Sequence, residues 1–286
     1  MRTKEACVDQ SRISVKLESY QYPDGTVALA DLDLKIARGE FAGILGSNGS
    51  GKTTLLKIMD GLIKGYRGEV LLDGDNVLRL HPRDIYRKVG LVFQNPDDQL
   101  FASNVFEDAA FGPRNMGCAE PEVKSRVEAA LASVDMSEFA AKGIHNLSYG
   151  QKKRVCIAGL LAMGHEILLL DEPTAGLDPM GEYRMMELLT RLNRDHGVTI
   201  VMATHSVDLV PIFLHQLHIL SKGRLVRGGA PEDVFTAPEE LANVKLRLPH
   251  IAELIYQLKH EEGLPFTRLP LTIGEARREM VEAMKR

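Results

Sequence analysis

The apolar residues of this chain are concentrated in short runs. Residues 40–45, 88–93, 155–164, 167–170, 198–203 and 209–220 carry most of them. Runs of this length bounded by polar or glycine residues read as buried strands or as single turns of buried helix. Residues 40–45, 88–93, 167–170 and 198–204 are predicted strands. Residues 54–59 and 152–158 are predicted helices. None of the runs reaches the roughly 18–20 residues needed to cross a bilayer, and His165 and Glu166 separate two of them. Towards the C-terminus, Leu241, Val244, Leu248, Ile251, Leu254, Ile255 and Leu258 recur at three- and four-residue spacing. That period predicts one amphipathic helix, with Pro249 placed to break it. Thr272 and Glu275 read as a capping box opening a last helix.

The predicted strands end in reactive side chains. Residues 40–45 run into Gly46-Ser47-Asn48-Gly49-Ser50-Gly51-Lys52-Thr53, which fits the phosphate-loop pattern G-x-x-x-x-G-K-[ST]. Glycines let the backbone wrap closely, so that N–H groups point at phosphate oxygens. The lysine reaches the β- and γ-phosphates and the threonine hydroxyl ligates Mg²⁺. The helix that follows, beginning with Thr54, presents its anion-favouring N-terminus. A nucleotide with Mg²⁺ is therefore expected here, and the residues at 147–151 below narrow the nucleotide to ATP. Asn48-Gly49-Ser50 is also formally a glycosylation sequon, but it lies inside this loop.

The run 167–170 ends at Asp171-Glu172. A buried strand that ends in acids puts them at the carboxyl edge of the sheet, where ligands bind in open α/β folds. Asp171 is then placed to hold Mg²⁺ and Glu172 to polarise the attacking water. An Asp-Glu pair closing a strand is otherwise a common surface feature; the phosphate loop upstream argues for the catalytic reading. Residues 88–93 end at Gln94 and 198–204 at His205, each a weak signal alone. Together, four strands bring a phosphate loop, an amide, two carboxylates and an imidazole to one edge, which suits phosphoryl transfer.

Composition adds limits. At 286 residues and 44% hydrophobic, the chain can build a sizeable core in one or two domains. With 35 basic and 39 acidic residues it has no overall basic footprint, and no nucleic-acid partner is expected. Cys7, Cys118 and Cys156 are far apart and form no CxxC pair, which argues against a disulfide framework or zinc site and for a reducing compartment. Residues 1–11 are polar and carry no signal-peptide stretch. Any membrane role is expected to come through a partner.

Leu147-Ser148-Tyr149-Gly150-Gln151 resembles the signature of the ABC ATPases, usually written LSGGQ, with Tyr149 in place of a glycine. A serine at a helix N-cap followed by free N–H groups is an anion site in its own right. The resemblance implies an α/β fold of the P-loop NTPase type. It would have a RecA-like mixed sheet core, a helical subdomain at about 95–165 carrying the signature, and a small C-terminal helical extension. The ATPase domain would span 13–240 and the extension 241–286. The resemblance further implies that Ser148, Gly150 and Gln151 face the γ-phosphate bound by another subunit of a head-to-tail dimer, made with itself or with a paralogous ATPase. By the same likeness, Tyr22 stacks on adenine, although Tyr20 would point the same way. Gln94 contacts Mg²⁺ and the transmembrane partner. Lys52, Glu172 and His205 carry catalysis, Thr53, Gln94 and Asp171 hold Mg²⁺, and Asp178 crosses to the partner.

Narrower strings resemble the ATPases of energy-coupling-factor importers, which take up vitamins and transition metals. These are residues 93–101 (Phe-Gln-Asn-Pro-Asp-Asp-Gln-Leu-Phe) and 111–117 (Phe-Gly-Pro-Arg-Asn-Met-Gly). Residues 147–154 and the ending over 263–278 resemble the cobalt-importer branch, with nickel importers close by. The expectation is an ATPase on the cytoplasmic side of the cell membrane, peripheral, bound to integral transmembrane-coupling and substrate-binding subunits. Nickel or a vitamin is the alternative cargo, and a soluble ABC ATPase acting on nucleic acid or the ribosome is the more distant reading. About 50 residues separate Gln94 from Leu147, room for a compact helical subdomain and not for a long coiled coil. The C-terminal extension either packs on its own core or forms a dimer contact. His215 and His218 look like a metal pair but read as edge positions of a strand and turn.

Overall fold

The computed structural model describes residues 11–284. Cys7 and the polar stretch up to residue 10 lie outside the described residues. Strands β1 (Ser11–Gln21) and β2 (Val27–Ala37) form an antiparallel hairpin. In β2, buried Leu32, Leu34 and Ile36 alternate with exposed Asp31, Asp33 and Lys35. One face packs on the core and the other is solvated, as that alternation requires. β3 (Phe41–Leu45) is buried throughout and runs into α1 (Lys52–Met59). β4 (Arg67–Leu72) and β5 (Asp75–Asn76) complete a four-stranded sheet in the order β2-β1-β4-β5. Helix α2 (Pro82–Lys88) leads to β6 (Val89–Val92), so Lys88 closes a helix and does not open the strand.

Between residues 95 and 165 the chain is helical. It contains α3 (Val105–Asn115), α4 (Glu120–Ser133) and α5 (Tyr149–Met163), with 3-10 turns at Pro96–Asp98, Ser137–Phe139 and Ile144–Asn146. Then follow β7 (Ile167–Asp171), α6 (Pro179–His196), β8 (Thr199–Thr204), α7 (Val210–Phe213), β9 (Gln216–Ser221) and β10 (Arg224–Gly229). The apolar run 209–220 is thus a short helix followed by a strand.

The second sheet has the order β10-β9-β3-β8-β7-β6. β10 is antiparallel to β9 and the other neighbours are parallel, which makes the sheet mixed. β7 and β8 are buried at every position, because covering elements leave neither face to solvent. This order places the carboxyl ends of β3, β8, β7 and β6 side by side, and with them the phosphate loop, His205, Asp171-Glu172 and Gln94. It also makes β9 an interior strand. His218 is half-buried there and its ring nitrogens are buried with no protein partner, which corrects the edge placement expected for it. Among the described residues, no group of three or more His, Cys, Asp and Glu is arranged to hold a metal.

The C-terminal region contains α8 (Pro231–Val234), α9 (Pro238–Asn243), α10 (His250–His260) and α11 (Ile273–Ala283). The single helix expected over 241–258 is two helices with six residues between them. Lys245 takes a left-handed conformation (φ 59°) and Pro249 caps α10, so the interruption is wider than the proline alone. Leu241, Leu246, Leu248 and Ala252 are buried in the main core, but Leu254 is 48% exposed, against its place in the apolar pattern. Thr272 does cap α11 through its oxygen, accepting from Glu275 N–H at 3.3 Å. The Glu275 carboxylate reaches back to Leu271 N–H (2.9 Å) and not to the cap residue, so the box is only half formed as expected. No helix among the described residues is long and apolar enough to cross a membrane.

Candidate nucleotide site

The loop between β3 and α1 closes on itself. Lys52, 7% exposed, donates from Nζ to the carbonyls of Gly46 (2.8 Å) and Ser47 (3.3 Å). Gly51, which caps α1, has φ 107°, and a Cβ there would lie 2.8 Å from the Ala28 carbonyl, so only glycine fits. A cavity of about 490 Å³ opens over this loop. Asn48, Gly49, Ser50, Gly51, Lys52, Thr53 and Thr54 line it, together with Tyr22, Gln94, Asp171 and Glu172. Gly46 does not. A Cβ on it would come within 2.4 Å of the Leu220 carbonyl, so this glycine serves contact with β9. Ser47 turns into a neighbouring hollow that it shares with Asn48, His205, Lys245 and Arg247.

Tyr22, and not Tyr20, reaches the cavity. Tyr20 is buried, with its ring edge-on to Tyr22 at 5.1 Å, while the Tyr22 and Thr54 hydroxyls share a hydrogen bond of 2.8 Å. Both tyrosines lie on one face of the strand, and only the one beyond its end meets the loop.

The carboxylates differ in their surroundings. Thr53 donates its hydroxyl to Asp171 Oδ2 at 2.7 Å, whereas Asp171 Oδ1 is buried with no protein partner. Burial pushes the Asp171 pKa up; Glu172 adds to this, while Thr53 and Lys52 oppose it. A buried orphan carboxylate oxygen beside a hydroxyl, with the Gln94 amide on the same cavity, is a donor set that fits a hard divalent cation such as Mg²⁺.

Glu172 is 5% exposed and its backbone is left-handed (φ 50°). A non-glycine residue held there stores on the order of 1–3 kcal/mol, a pattern that clusters at functional sites. Its Oε1 lies 3.6 Å from Lys52 Nζ and accepts from His205 Nδ1 at 2.9 Å. The three residues expected to carry catalysis therefore form one chain of polar contacts, with His205 at its more exposed end.

Under the same turn lies a residue that the sequence did not single out. Lys153 on α5 is 1% exposed, and its Nζ donates to the carbonyls of Glu172 (2.7 Å) and Ala175 (2.8 Å). Burial lowers its pKa to about 8, against the pull of Glu172. In a Lys-Lys-Arg string a lysine reads as solvated, so nothing local marks it. Thr26, Val27, Ala28, Lys222 and Gly223 also line the cavity unannounced, because they arrive on turns of β1–β2 and β9–β10 that only the fold brings to the loop.

The signature residues lie elsewhere. Ser148 caps α5, accepting from Gln151 N–H at 3.3 Å, while Gln151 Oε1 accepts from Ser148 N–H at 3.0 Å. The N–H groups of Tyr149 and Gly150 sit in the first turn, where helix geometry offers no internal acceptor. Ser148, Gly150 and Gln151 line a separate hollow of about 300 Å³ with Arg154, Leu177 and Gly181. Asp178 caps α6, accepting from Gly181 N–H at 2.7 Å. None of these four reaches the cavity over the phosphate loop of its own chain, and the Gln151 and Asp178 side chains are engaged in helix caps.

A Geobacter sulfurreducens protein, provisionally named an ABC transporter ATP-binding protein, is 77% identical over 96% of this chain and 98% of its own length. The profile of the family described as ABC transporter matches residues 29–175. This chain belongs to the ABC transporter family. It is an ABC ATPase, with ATP as its nucleotide. An AAA-domain profile also matches, over 143–210. The energy-coupling factor transporter ATP-binding protein EcfA of Methanococcus maripaludis is 47% identical over 93% of this chain and 96% of its own. The solved structure of CbiO1 from Clostridium perfringens, described as part of the ABC transporter complex CbiONQ, superposes with a TM-score of 0.76. It is 41% identical, covering 87% of this chain and all of that one. A dimeric ATP-binding cassette in a post-hydrolysis state, bound to ADP and Pi, superposes at 0.67 with 29% identity over 77% of this chain and 98% of its own. The ABC ATPase fold is thus shared over most of the chain.

Proposed function

We propose that this ABC ATPase energises a membrane importer of the energy-coupling-factor class and that its cargo is the cobalt ion. The observation that carries the mechanism is the buried Glu172, held in left-handed backbone between Lys52 and His205 beside the phosphate loop. ATP phosphates engage Lys52 and the loop N–H groups, which releases Glu172 to orient and deprotonate the attacking water. His205 then turns from Glu172 to the γ-phosphate. Thr53, Asp171 and Gln94 would hold Mg²⁺, which would supply neutralisation of phosphate charge. Tyr22 offers its ring to adenine.

Ser148, Gly150, Gln151 and Asp178 act on the nucleotide of the facing ATPase, in a head-to-tail dimer with a second copy or a paralogue. The reading is supported by their distance from the chain's own cavity and by the dimeric relative with ADP and Pi. The extension, residues 241–286, adds a dimer contact to the ATPase domain at 13–240. Exposed Leu254, Ile273, Met280 and Val281 support that role. Gln94 and residues 95–101 pass closure to a membrane subunit. In their favour is Phe101, 65% exposed and edge-on to Phe111 at 4.7 Å. The location that follows is peripheral, on the cytoplasmic side of the membrane. Cobalt rests on the strings at 147–154 and 263–278 and on the likeness to CbiO1.

The test is affinity purification from membranes, followed by uptake of radiolabelled cobalt, nickel and vitamins by the purified complex in vesicles. Cobalt uptake that stops in Glu172→Gln supports the proposal. Uptake of another cargo overturns cobalt alone, and the absence of any integral membrane partner overturns the transport role.

A further inference from the structure

Tyr149 is where the chain departs from LSGGQ, and its side chain turns inward from the start of α5. The hydroxyl donates to the Gln94 carbonyl at 3.2 Å. The ring lies against Gly176 (φ 78°), where a Cβ would sit 3.0 Å from ring Cε1. The Lys153 ammonium is 5.2 Å from the ring centroid, and Lys153 is the residue that holds the Glu172 and Ala175 carbonyls. One side chain therefore touches the start of the signature helix, the residue at the end of β6, and the turn that follows β7. A second tie runs beside it, the ion pair of Lys152 with Asp97.

The two ties differ in kind. Asp97 is 54% exposed, so its pair with Lys152 is screened by solvent and salt. The tyrosine tie is a ring with two torsions, wedged against a glycine that leaves no room for another side chain. Burial, with Asp97 and Asp98 adding to it, pushes the phenol pKa up, so the hydroxyl remains a donor. At 3.2 Å the bond is longer than a usual O–H···O contact. A glycine at this position would supply neither the ring nor the hydroxyl.

We propose that Tyr149 is a positioning residue that keeps the signature helix in register with Gln94 and the 172–176 turn, so that a shift at Gln94 is passed to Ser148 and Gly150. The proposal rests on the ABC ATPase reading and assigns the tyrosine a role beyond packing. It is tested on the purified full-length protein with Mg²⁺ and ATP, comparing the natural chain with Tyr149→Phe, Lys152→Ala and the double variant. Steady-state hydrolysis gives kcat and KM, a fluorescent ATP analogue gives nucleotide affinity, and amide hydrogen exchange reports on residues 94–99 and 148–152. Loss of the hydroxyl in Tyr149→Phe is expected to lower kcat about 3- to 10-fold, with KM, nucleotide affinity and melting temperature unchanged. In the double variant kcat should fall by more than the product of the single losses, and the ATP-induced change in exchange at 148–152 should disappear while that at 94–99 persists. A Tyr149→Phe kcat within about twofold of the natural chain, below the cost of one lost hydrogen bond, overturns the inference, as does an intact exchange response in the double variant. A loss confined to melting temperature reduces Tyr149 to packing and also overturns it. If the natural protein itself fails to hydrolyse ATP, the ATPase reading falls, an outcome distinct from all of these.

Discussion

The phosphate-loop half of the site and the signature half are finished to different degrees within one chain. At the loop, Lys52, Thr53, Glu172 and His205 all find partners among themselves or on nearby carbonyls, and Asp171 Oδ1 and Ser50 Oγ are the buried exceptions there. At the signature, a capping box secures Ser148 and Gln151, but the first-turn N–H groups open onto a shallow hollow with no acceptor of their own. The first half is closed by contacts within the chain, whereas the second leaves helix-start donors without an internal acceptor. The difference teaches that binding and turnover can be separated by mutation.

The sharpest separation is expected from Glu172→Gln. Turnover should fall by a factor on the order of 10²–10⁴, while equilibrium binding of ATP stays within a few-fold. Near-normal hydrolysis would remove Glu172 from the water-activating role. Next comes Ser148→Arg, which places a long cation where the donors face outward. Hydrolysis should drop by about tenfold or more, with nucleotide titration of the isolated subunit unchanged. Undiminished hydrolysis would mean that the signature half does not act on nucleotide at all.

Acid should act on the loop half. The ring nitrogens of His218 are buried beside β3, and that burial lowers its pKa to about 4. It stays neutral in the fold, while the unfolded chain takes up a proton below about 6.5. Stability is therefore full above pH 6.5 and declines towards pH 4, by on the order of 2–3 kcal/mol from this group. Chemical denaturation of His218→Leu across that range should show a flatter profile; an unchanged slope would exonerate His218. The smallest effect belongs to Ser148→Ala. Loss of the cap should cost about 1 kcal/mol in denaturant unfolding, as for other serine caps, and leave the loop half intact.

Much of the loop half was legible in the sequence because its chemistry is contiguous. Residues 46–53 are one string, and Gln94, Asp171-Glu172 and His205 each close an apolar run. Parallel strands need only be set side by side for these ends to meet. What was not legible depends on side-chain direction and on distant turns. Lys153 reads as one of three solvated cations until α5 is docked with that face inward. Gly46 reads as a phosphate ligand, but its need for glycine comes from Leu220, on a strand formed much later in the chain. Tyr149 reads only as a departure from LSGGQ, and its contacts with Gln94 and Gly176 exist only in the fold. In the tail, the period of apolar residues suggested a helix because three- and four-residue spacing was kept, yet Lys245 and Pro249 break the backbone while Leu246 and Leu248 still reach the core.

That break has a practical side. The linker between α9 and α10 forms one wall of the hollow shared by Ser47, Asn48 and His205, and Arg247 clasps Asp208, three residues beyond His205. A shortened version of the protein ending near residue 240 would keep every motif of the nucleotide site, yet it would bare a greasy seam against which Leu246 and Leu248 had packed and remove the Arg247 clasp on Asp208. Trimming by homology alone would give a chain that still looks right on paper and behaves as a different catalyst.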